Sequence, residues 1–230
     1  VTYEDQVYLV DCGEGTQQQL AHYRVKRSKI NHIFISHLHG DHYFGLIGLI
    51  TSMGLLGREH PLHLYGHPTL KTIIDLQLEA ADAILRFPLL FFPVTQPGVL
   101  LDSPKMEVSC FAVKHRIPCW GFLFREKKLP RKLLPARAME AGIPPRFFHQ
   151  LQAGMDFVNE QGVIIPNSLV TLPNPPGRIY AYSADTIYDE SLAGIFAGVN
   201  LLYHEATYLH DLKDRALERF HTTALQAGEM

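Results

Sequence analysis

Cysteine is scarce in this chain. Cys12, Cys110 and Cys119 are three thiols in 230 residues, too few and too scattered for a disulfide framework or a four-thiolate zinc site. Reduced thiols in a cytoplasmic setting are the simplest reading. No apolar run approaches the roughly 18 residues of a membrane span, and no signal-peptide pattern is found. Neither sign of charge dominates: 21 Lys and Arg stand against 23 Asp and Glu, a formal net charge of -2. The surface as a whole is therefore not built to attract nucleic acid, and any such binding needs a local basic patch. Internal repeats and low-complexity tracts are absent. The Gly13/Gly15 turn is followed by no Lys-Ser or Lys-Thr pair, which excludes a phosphate-binding P-loop; these glycines are read as shaping a tight turn beneath a site.

What is present is ordinary in bulk and unusual in one residue. The composition, 47% hydrophobic and 19% charged, suits a soluble globular enzyme with a sizeable core, and the length suits one domain or a domain with an insertion. Histidine is the outlier, at 13 residues. Strand-like runs are expected at Val7–Asp11, Ile30–Ser36, Leu62–Tyr65, Leu89–Val94, Met106–Lys114, Gly121–Phe124, Ile179–Ser183 and Leu201–His204. Helical periodicity is expected from Thr16 to Tyr23, over Leu46–Leu56, apolar on nearly all sides and hence read as buried, after a capping Thr69, near Asp189–Phe196 and from His221 to Ala227. Strands precede helices repeatedly, but several strands come in adjacent pairs. That pattern predicts a layered α/β fold with mixed sheets. Val1 leads directly into a strand and Met230 stops within a helical pattern, so both ends are read as cut from a longer chain, with residues 1–230 forming one domain.

One segment breaks the pattern. Residues 126–157 contain Pro130, Pro135, Pro144 and Pro145, and carry Lys127, Lys128, Arg131, Lys132, Arg137 and Arg146 against few acids. The segment is read as an arm projecting from the core, against the plainer reading of a solvated insertion.

The chemistry concentrates in His37-Leu38-His39-Gly40-Asp41-His42, just after the strand Ile30–Ser36. Residues two apart on an extended segment face the same side, so His37 and His39 point together. Gly40 permits a sharp turn that brings Asp41 and His42 to a second position. Imidazole and carboxylate together suit zinc. Two more ligating residues follow apolar strands: His115 after Met106–Lys114, and Asp185 after Ile179–Ser183. Each alone is as readily structural; three strands ending in ligating residues raise the case for all of them. A carboxylate is the natural bridge between two metals, and Asp185 is the candidate. His60, His63 and His67, and His22, His32, His149 and His210, are read as packing or surface residues. His204, at the end of a strand, is read as a core residue.

These residues resemble the metallo-β-lactamase superfamily and, within it, RNase Z, which removes 3′ trailers from precursor tRNA. The resemblance spans nearly the whole chain. It is carried by Asp11-Cys12-Gly13-Glu14-Gly15-Thr16-Gln17, Ser36 to His42, His115-Arg116-Ile117-Pro118, Ser183-Ala184-Asp185-Thr186, His204-Glu205-Ala206-Thr207 and His221-Thr222-Thr223. The fold it implies is an αβ/βα four-layer sandwich with mixed sheets and a projecting arm. It implies two zinc ions per subunit: one held by His37, His39 and His115, the second by Asp41 and His42, with Asp185 bridging. Asp41 would also take the proton of the attacking water, and His221, supported by Glu205, would protonate the leaving 3′-oxygen. A further histidine ligand, supplied in the family near the C-terminus, is not in this chain. Ala141-Gly142-Ile143-Pro144-Pro145 resembles the family's tRNA-clamping arm, although Arg146-Phe147 stand where members often carry Gly-Pro. The resemblance implies precursor tRNA as substrate, with Lys127, Lys128, Arg131, Lys132 and Arg146 contacting it. It further implies a homodimer whose arm serves the partner's site. Alternatives left open are a thioester, lactone or cyclic-nucleotide hydrolase on the same fold, and a non-enzymatic RNA-binding scaffold.

Overall fold

The structure, a computed structural model, describes residues 1–230. Strands β1 (Thr2–Tyr3) and β2 (Gln6–Val10) lead to α1 (Thr16–His22), then β3 (Ile30–Phe34), α2 (Gly40–Tyr43), α3 (Leu46–Leu55), β4 (Leu62–Gly66), α4 (Pro68–Ala80) and β5 (Leu89–Pro93). These five strands form one sheet in chain order, antiparallel at β1/β2 and parallel thereafter. Strands β6 (Gly98–Asp102), β7 (Met106–Val113) and β8 (Cys119–Glu126) begin a second sheet.

Between Glu126 and Ile179 the chain leaves that sheet and builds a small unit of its own. It contains β9 (Lys132–Leu133), α5 (Pro135–Glu140), α6 (Phe148–Gln152), the hairpin of β10 (Phe157–Val158) and β11 (Ile164–Ile165), α7 (Asn167–Val170) and β12 (Thr171–Leu172), which pairs back onto β9. Ala138, Ile143, Leu151 and Val170 give it a separate apolar core. The chain then returns through β13 (Ile179–Tyr182), α8 (Ala193–Phe196), β14 (Leu201–Tyr203), α9 (Lys213–Glu218) and α10 (Ala224–Glu229). The second sheet has the order β14-β13-β8-β7-β6, antiparallel except for the parallel pair β13/β14.

Period-two alternation makes the layers. On β3 and its extension, Ile33 and Ile35 face the outer helices, packing with Leu49 and Ile50 of α3 and Leu70 and Ile74 of α4. Phe34 between them faces inward, meeting Phe122 and Phe124 of β8 and Tyr65 of β4. On the far side of the second sheet, Phe111 and Ala181 pack against Leu192 and Phe196. Helix, sheet, sheet, helix is the expected four-layer mixed α/β arrangement. No helix is long and apolar enough to cross a membrane.

Several local expectations need correction. Helix α3 buries only one face: Leu46, Leu49, Ile50 and Met53 are buried, whereas Leu55 and the following Leu56 are 88% and 66% exposed. The stripe of period 3.6 facing the sheet is covered, the flanks at Ile47, Thr51 and Ser52 are partly buried, and the C-terminal end is open. The N-cap of α4 is His67, whose ring accepts from Thr69 N at 3.3 Å, with Pro68 at the first helical position where a missing N–H is harmless. Strand β6, unforeseen in the sequence, is an irregular edge strand with a register shift between Val99 and Leu101. His221 does not start a helix; Thr223 does, through a capping box with Gln226. His221 is thereby left in the turn before it, free for other contacts.

Candidate metal centre

The parallel and antiparallel strands deliver their ends to one rim. Asp11 follows β2, Ser36 and His37 follow β3, His115 follows β7, Asp185 follows β13 and Glu205 follows β14. The rim is tied together by backbone: Cys12 N donates to His42 O (2.7 Å), Gly45 N to Cys12 O (2.9 Å) and Trp120 N to Ser36 O (3.1 Å). Gly13 must be glycine here, because a Cβ would sit 2.0 Å from the Asp41 carbonyl oxygen. The turn after β2 thus lies directly against the metal loop.

His37, His39, His115 and Asp185 each offer a ligand atom, and these atoms all lie within 4.8 Å of one another. His37 Nε2 and His39 Nδ1 are 2.9 Å apart, and His39 Nδ1 and His115 Nε2 are 3.1 Å apart. Ligand nitrogens around a tetrahedral zinc, bonded at roughly 2.0–2.1 Å, stand about 3.3 Å apart, so the spacing fits one cation. The tautomers fit as well. His115 Nδ1 donates to the Phe220 carbonyl (2.9 Å), and His37 Nδ1 donates to Ser36 Oγ (3.0 Å), leaving both Nε2 lone pairs aimed at the cluster. Burial, reinforced by neighbouring imidazoles, holds His37, His39 and His115 below the ordinary histidine range, as neutral donors.

A second position lies alongside. Asp185 Oδ2 is 3.4 Å from His42 Nε2 and 3.8 Å from His37 Nε2, so one carboxylate oxygen faces both halves of the site. Asp41 Oδ2 stands 3.5 Å from His42 Nε2, with its side chain 79% exposed at the mouth. Burial opposes a charge on Asp185, but the His42 hydrogen bond and the surrounding imidazoles outweigh it and keep the carboxyl below its usual range. Burial likewise pulls His42 down, yet hydrogen bonds to Asp11 and Asp185 raise it to about 10. A field that favours a proton so strongly favours a metal cation in its place.

Asp11 is the functional residue that sequence reasoning passed over; its motif was visible, but no role for the side chain was. It adopts φ +56° at the end of β2. Its Oδ2 accepts from His42 Nδ1 (2.8 Å), Ser36 Oγ (2.9 Å) and Tyr182 Oη (2.8 Å), and its Oδ1 accepts from Ser36 N (2.7 Å). One carboxylate therefore orients His42 directly and His37 through Ser36.

Beside the cluster, His221 Nδ1 donates to Glu205 Oε1 (2.9 Å) and lies 4.0 Å from Asp185 Oδ2. Glu205 is buried and also accepts from Thr186 N, Thr207 N, Thr207 Oγ1 and Thr222 N. All the ligand and acid–base residues singled out in the sequence thus converge on one rim. His204 is only half-buried rather than a core residue; its Nδ1 donates to Glu205 O (2.8 Å) and its Nε2 is buried without a partner.

The arm cations are separate from this centre. Lys127 pairs with Asp102, and Arg131 Nε donates to Thr171 Oγ1 (2.7 Å). Lys128 and Arg131 line a cleft of about 390 Å³ with His149 and Gln152. Arg146 stacks on Phe147, its guanidinium carbon 5.1 Å from the ring centre, and Lys132 is exposed.

The chain is similar in sequence and fold to proteins of known family. A family model described as anti-Pycsar protein Apyc1 matches residues 1–81, a stretch that holds the His37–His42 motif but none of His115, Asp185, Glu205 or His221. Ribonuclease Z of Bacteroides thetaiotaomicron is 40% identical over 232 residues, covering 100% of this chain and 73% of that protein. Ribonuclease Z of Parabacteroides distasonis is 40% identical over 234 residues, covering 100% of this chain and 76% of that protein. Among solved structures, the short form of human tRNase Z superposes with a TM-score of 0.73 at 26% identity, over 100% of this chain and 78% of that one. A long-form RNase Z from yeast shares the fold at a TM-score of 0.59 and 17% identity, over 96% of this chain and 30% of that one. With its metal-ligand cluster on a metallo-β-lactamase fold and relatives of this identity along its whole length, the chain belongs to the ribonuclease Z family.

Proposed function

We propose that this protein is a zinc-dependent endoribonuclease that hydrolyses the phosphodiester joining a precursor tRNA to its 3′ trailer, leaving a 3′-hydroxyl on the tRNA. The observation that carries this reading is the Glu205–His221 pair, 2.9 Å long, with Glu205 buried and His221 reaching the site, 4.0 Å from Asp185. A proton donor so placed serves a reaction with a poor, alkoxide-like leaving group, as ribose is.

The proposed cofactors are two zinc ions, one held by His37, His39 and His115, the other by Asp41 and His42, with Asp185 shared. Bound metal ions at such a site lower the pKa of water and offset charge developing on the phosphoryl oxygens. The chain's own residues do the rest. Asp41, exposed at the mouth beside His42, accepts the proton of the attacking water. Glu205 fixes the His221 ring by holding Nδ1–H, which turns Nε2 toward the leaving 3′-oxygen, and His221 donates the proton there. Asp11 and Ser36 keep His42 and His37 in the orientation this requires.

The small unit after β8, with Lys127, Lys128, Arg131, Lys132 and Arg146, is the proposed grip on the body of the tRNA. A homodimer, in which one subunit's arm serves the other's site, is part of the same reading; the exposed Leu55, Leu56 and Ile84 offer an apolar face for it. The three buried free thiols suit a cytoplasmic location.

The test is incubation of the protein with a 3′-extended precursor tRNA, with and without chelator. Chelator-sensitive release of the trailer is expected. Turnover of a small diester or ester without release of any trailer would overturn the assignment. Asp41→Ala is expected to abolish cleavage and leave tRNA binding nearly intact.

A further inference from the structure

Arg116 follows the ligand His115 directly, and its Nη2 lies 3.1 Å from His39 Nε2. That nitrogen is on the far side of the His39 ring from Nδ1, the atom that meets His37 and His115. The guanidinium therefore stands one imidazole width outside the ligand cluster, at its mouth. Arg116 is exposed, has no other side-chain contact within hydrogen-bond distance, and has no carboxylate within ion-pair distance. The neighbouring cation Lys114 differs: its ammonium is paired with Asp189 at 3.0 Å. Arg116 is thus an uncompensated, permanently charged fork of five N–H donors, and His39 Nε2, which carries the ring proton when Nδ1 serves as the ligand, cannot accept from any of them.

A cation in that position has little structural use. The one group beside it is the His39 ring, and the oxygens of the cluster, on Asp185 and Asp41, are not among its contacts. An RNA strand with one phosphate over the ligands would carry its next phosphate outward, toward exposed cations at the mouth such as this guanidinium. A guanidinium matches the paired non-bridging oxygens of a phosphate bidentately.

We infer that Arg116 is a substrate-contacting residue that grips the backbone phosphate flanking the scissile one. The inference rests on the reading of the protein as an RNA endonuclease. It separates two substrate classes by chemistry: a polynucleotide has a flanking phosphate, and bis(p-nitrophenyl) phosphate does not.

The experiment compares wild type, Arg116→Lys and Arg116→Ala, all metal-loaded, on a 3′-extended tRNA over a series of salt concentrations and on bis(p-nitrophenyl) phosphate, with bound zinc measured in each. Loss of a charge-assisted phosphate contact is expected to lower kcat/KM on the tRNA by about ten- to hundredfold. The slope of log affinity against log salt is expected to fall by about one ion, with small-diester turnover and zinc content unchanged. Arg116→Lys should retain the salt slope and lose only part of kcat/KM. Equal losses on both substrates, or a loss of zinc, would make Arg116 a support for His39 and overturn the inference. So would an Arg116→Ala enzyme that cuts tRNA as wild type does. A wild-type protein that turned over the small diester but never the tRNA would overturn the endonuclease reading, and this inference with it.

Discussion

His221 Nδ1 donates to Glu205 Oε1 at 2.9 Å across 16 residues of sequence, and the carboxylate it meets is already held by four other donors. Such a carboxylate cannot turn away, so it fixes the ring rather than the reverse. His221→Ala is expected to lower cleavage of a 3′-extended tRNA by about 10²–10⁴, the usual worth of a general acid. A diester with a p-nitrophenolate leaving group needs no protonation and should lose far less. Parallel kinetics on the two substrates check this; equal losses would assign His221 to the metal site instead. Glu205→Gln should weaken tRNA cleavage in the same direction and also cost about 1–3 kcal/mol of stability, read by denaturant melts.

Asp11 touches no substrate in this arrangement, yet its carboxylate accepts from His42, Ser36 and Tyr182. Removing such an outer partner typically weakens metal affinity about 10–100-fold. Asp11→Ala is expected to do so chiefly at the position held by His42. Competition with a chromophoric chelator should show one zinc lost early, with the other retained.

Metal removal should act on the fold as well as on activity. His37, His39, His115 and Asp185 come from three separate strand ends, so a shared cation links them in the folded state only. Binding to the folded form alone, at one hundred times Kd, contributes about 2.7 kcal/mol. Dialysis against chelator is expected to lower Tm and abolish cleavage, and added zinc to restore both. Calorimetry with and without metal measures it.

Deletion of residues 129–156 removes α5 and α6 and most of the arm's exposed cations. The expected result is weaker tRNA binding, with bis(p-nitrophenyl) phosphate turnover spared. A deletion that changes neither would remove the arm from the account of recognition.

His32 gives a pH dependence of stability away from the metal centre. It stacks on Tyr8 and His63, with ring centroids 5.6 and 4.6 Å away. Burial, then the neighbouring His63 and Arg58, depress it from 6.5 to about 4. Between those values the unfolded chain binds a proton that the folded chain refuses. The stability contribution is therefore complete above pH 6.5, declines as pH falls toward 4, and is level below that. His32→Phe keeps the stack and removes the titration, so Tm of the metal-loaded variant should fall less steeply over that interval than Tm of wild type.

The sequence by itself determined the layered α/β class and pointed to the cluster of candidate ligands. Four ligating side chains between His37 and His42, directly after a β-branched strand, are dense enough to be recognised before any folding is considered. His115 and Asp185 followed because each ends an apolar run, and strand ends converge. Short-range periodicity is blind to other features, and there the reading stopped or erred. It put a cap at Thr69 where His67 serves, began a helix at His221 where Thr223 does, and buried all of a helix that exposes Leu55.

Tertiary structure alone decided what surrounds the ligands. Asp11 and Tyr182 are 171 residues apart and meet at 2.8 Å. Ser36 is aligned by a carboxylate 25 residues before it, and His115 by a carbonyl 105 residues after it. Arg116 follows His115 in sequence, but its place at the mouth, opposite His39, brings together residues 77 apart. The physical reason is the same in each case. A metal ligand is legible from its own chemistry. An orienting hydrogen bond or an unpaired charge is defined only by what stands opposite it, and the meeting of two sheets at one rim supplies that.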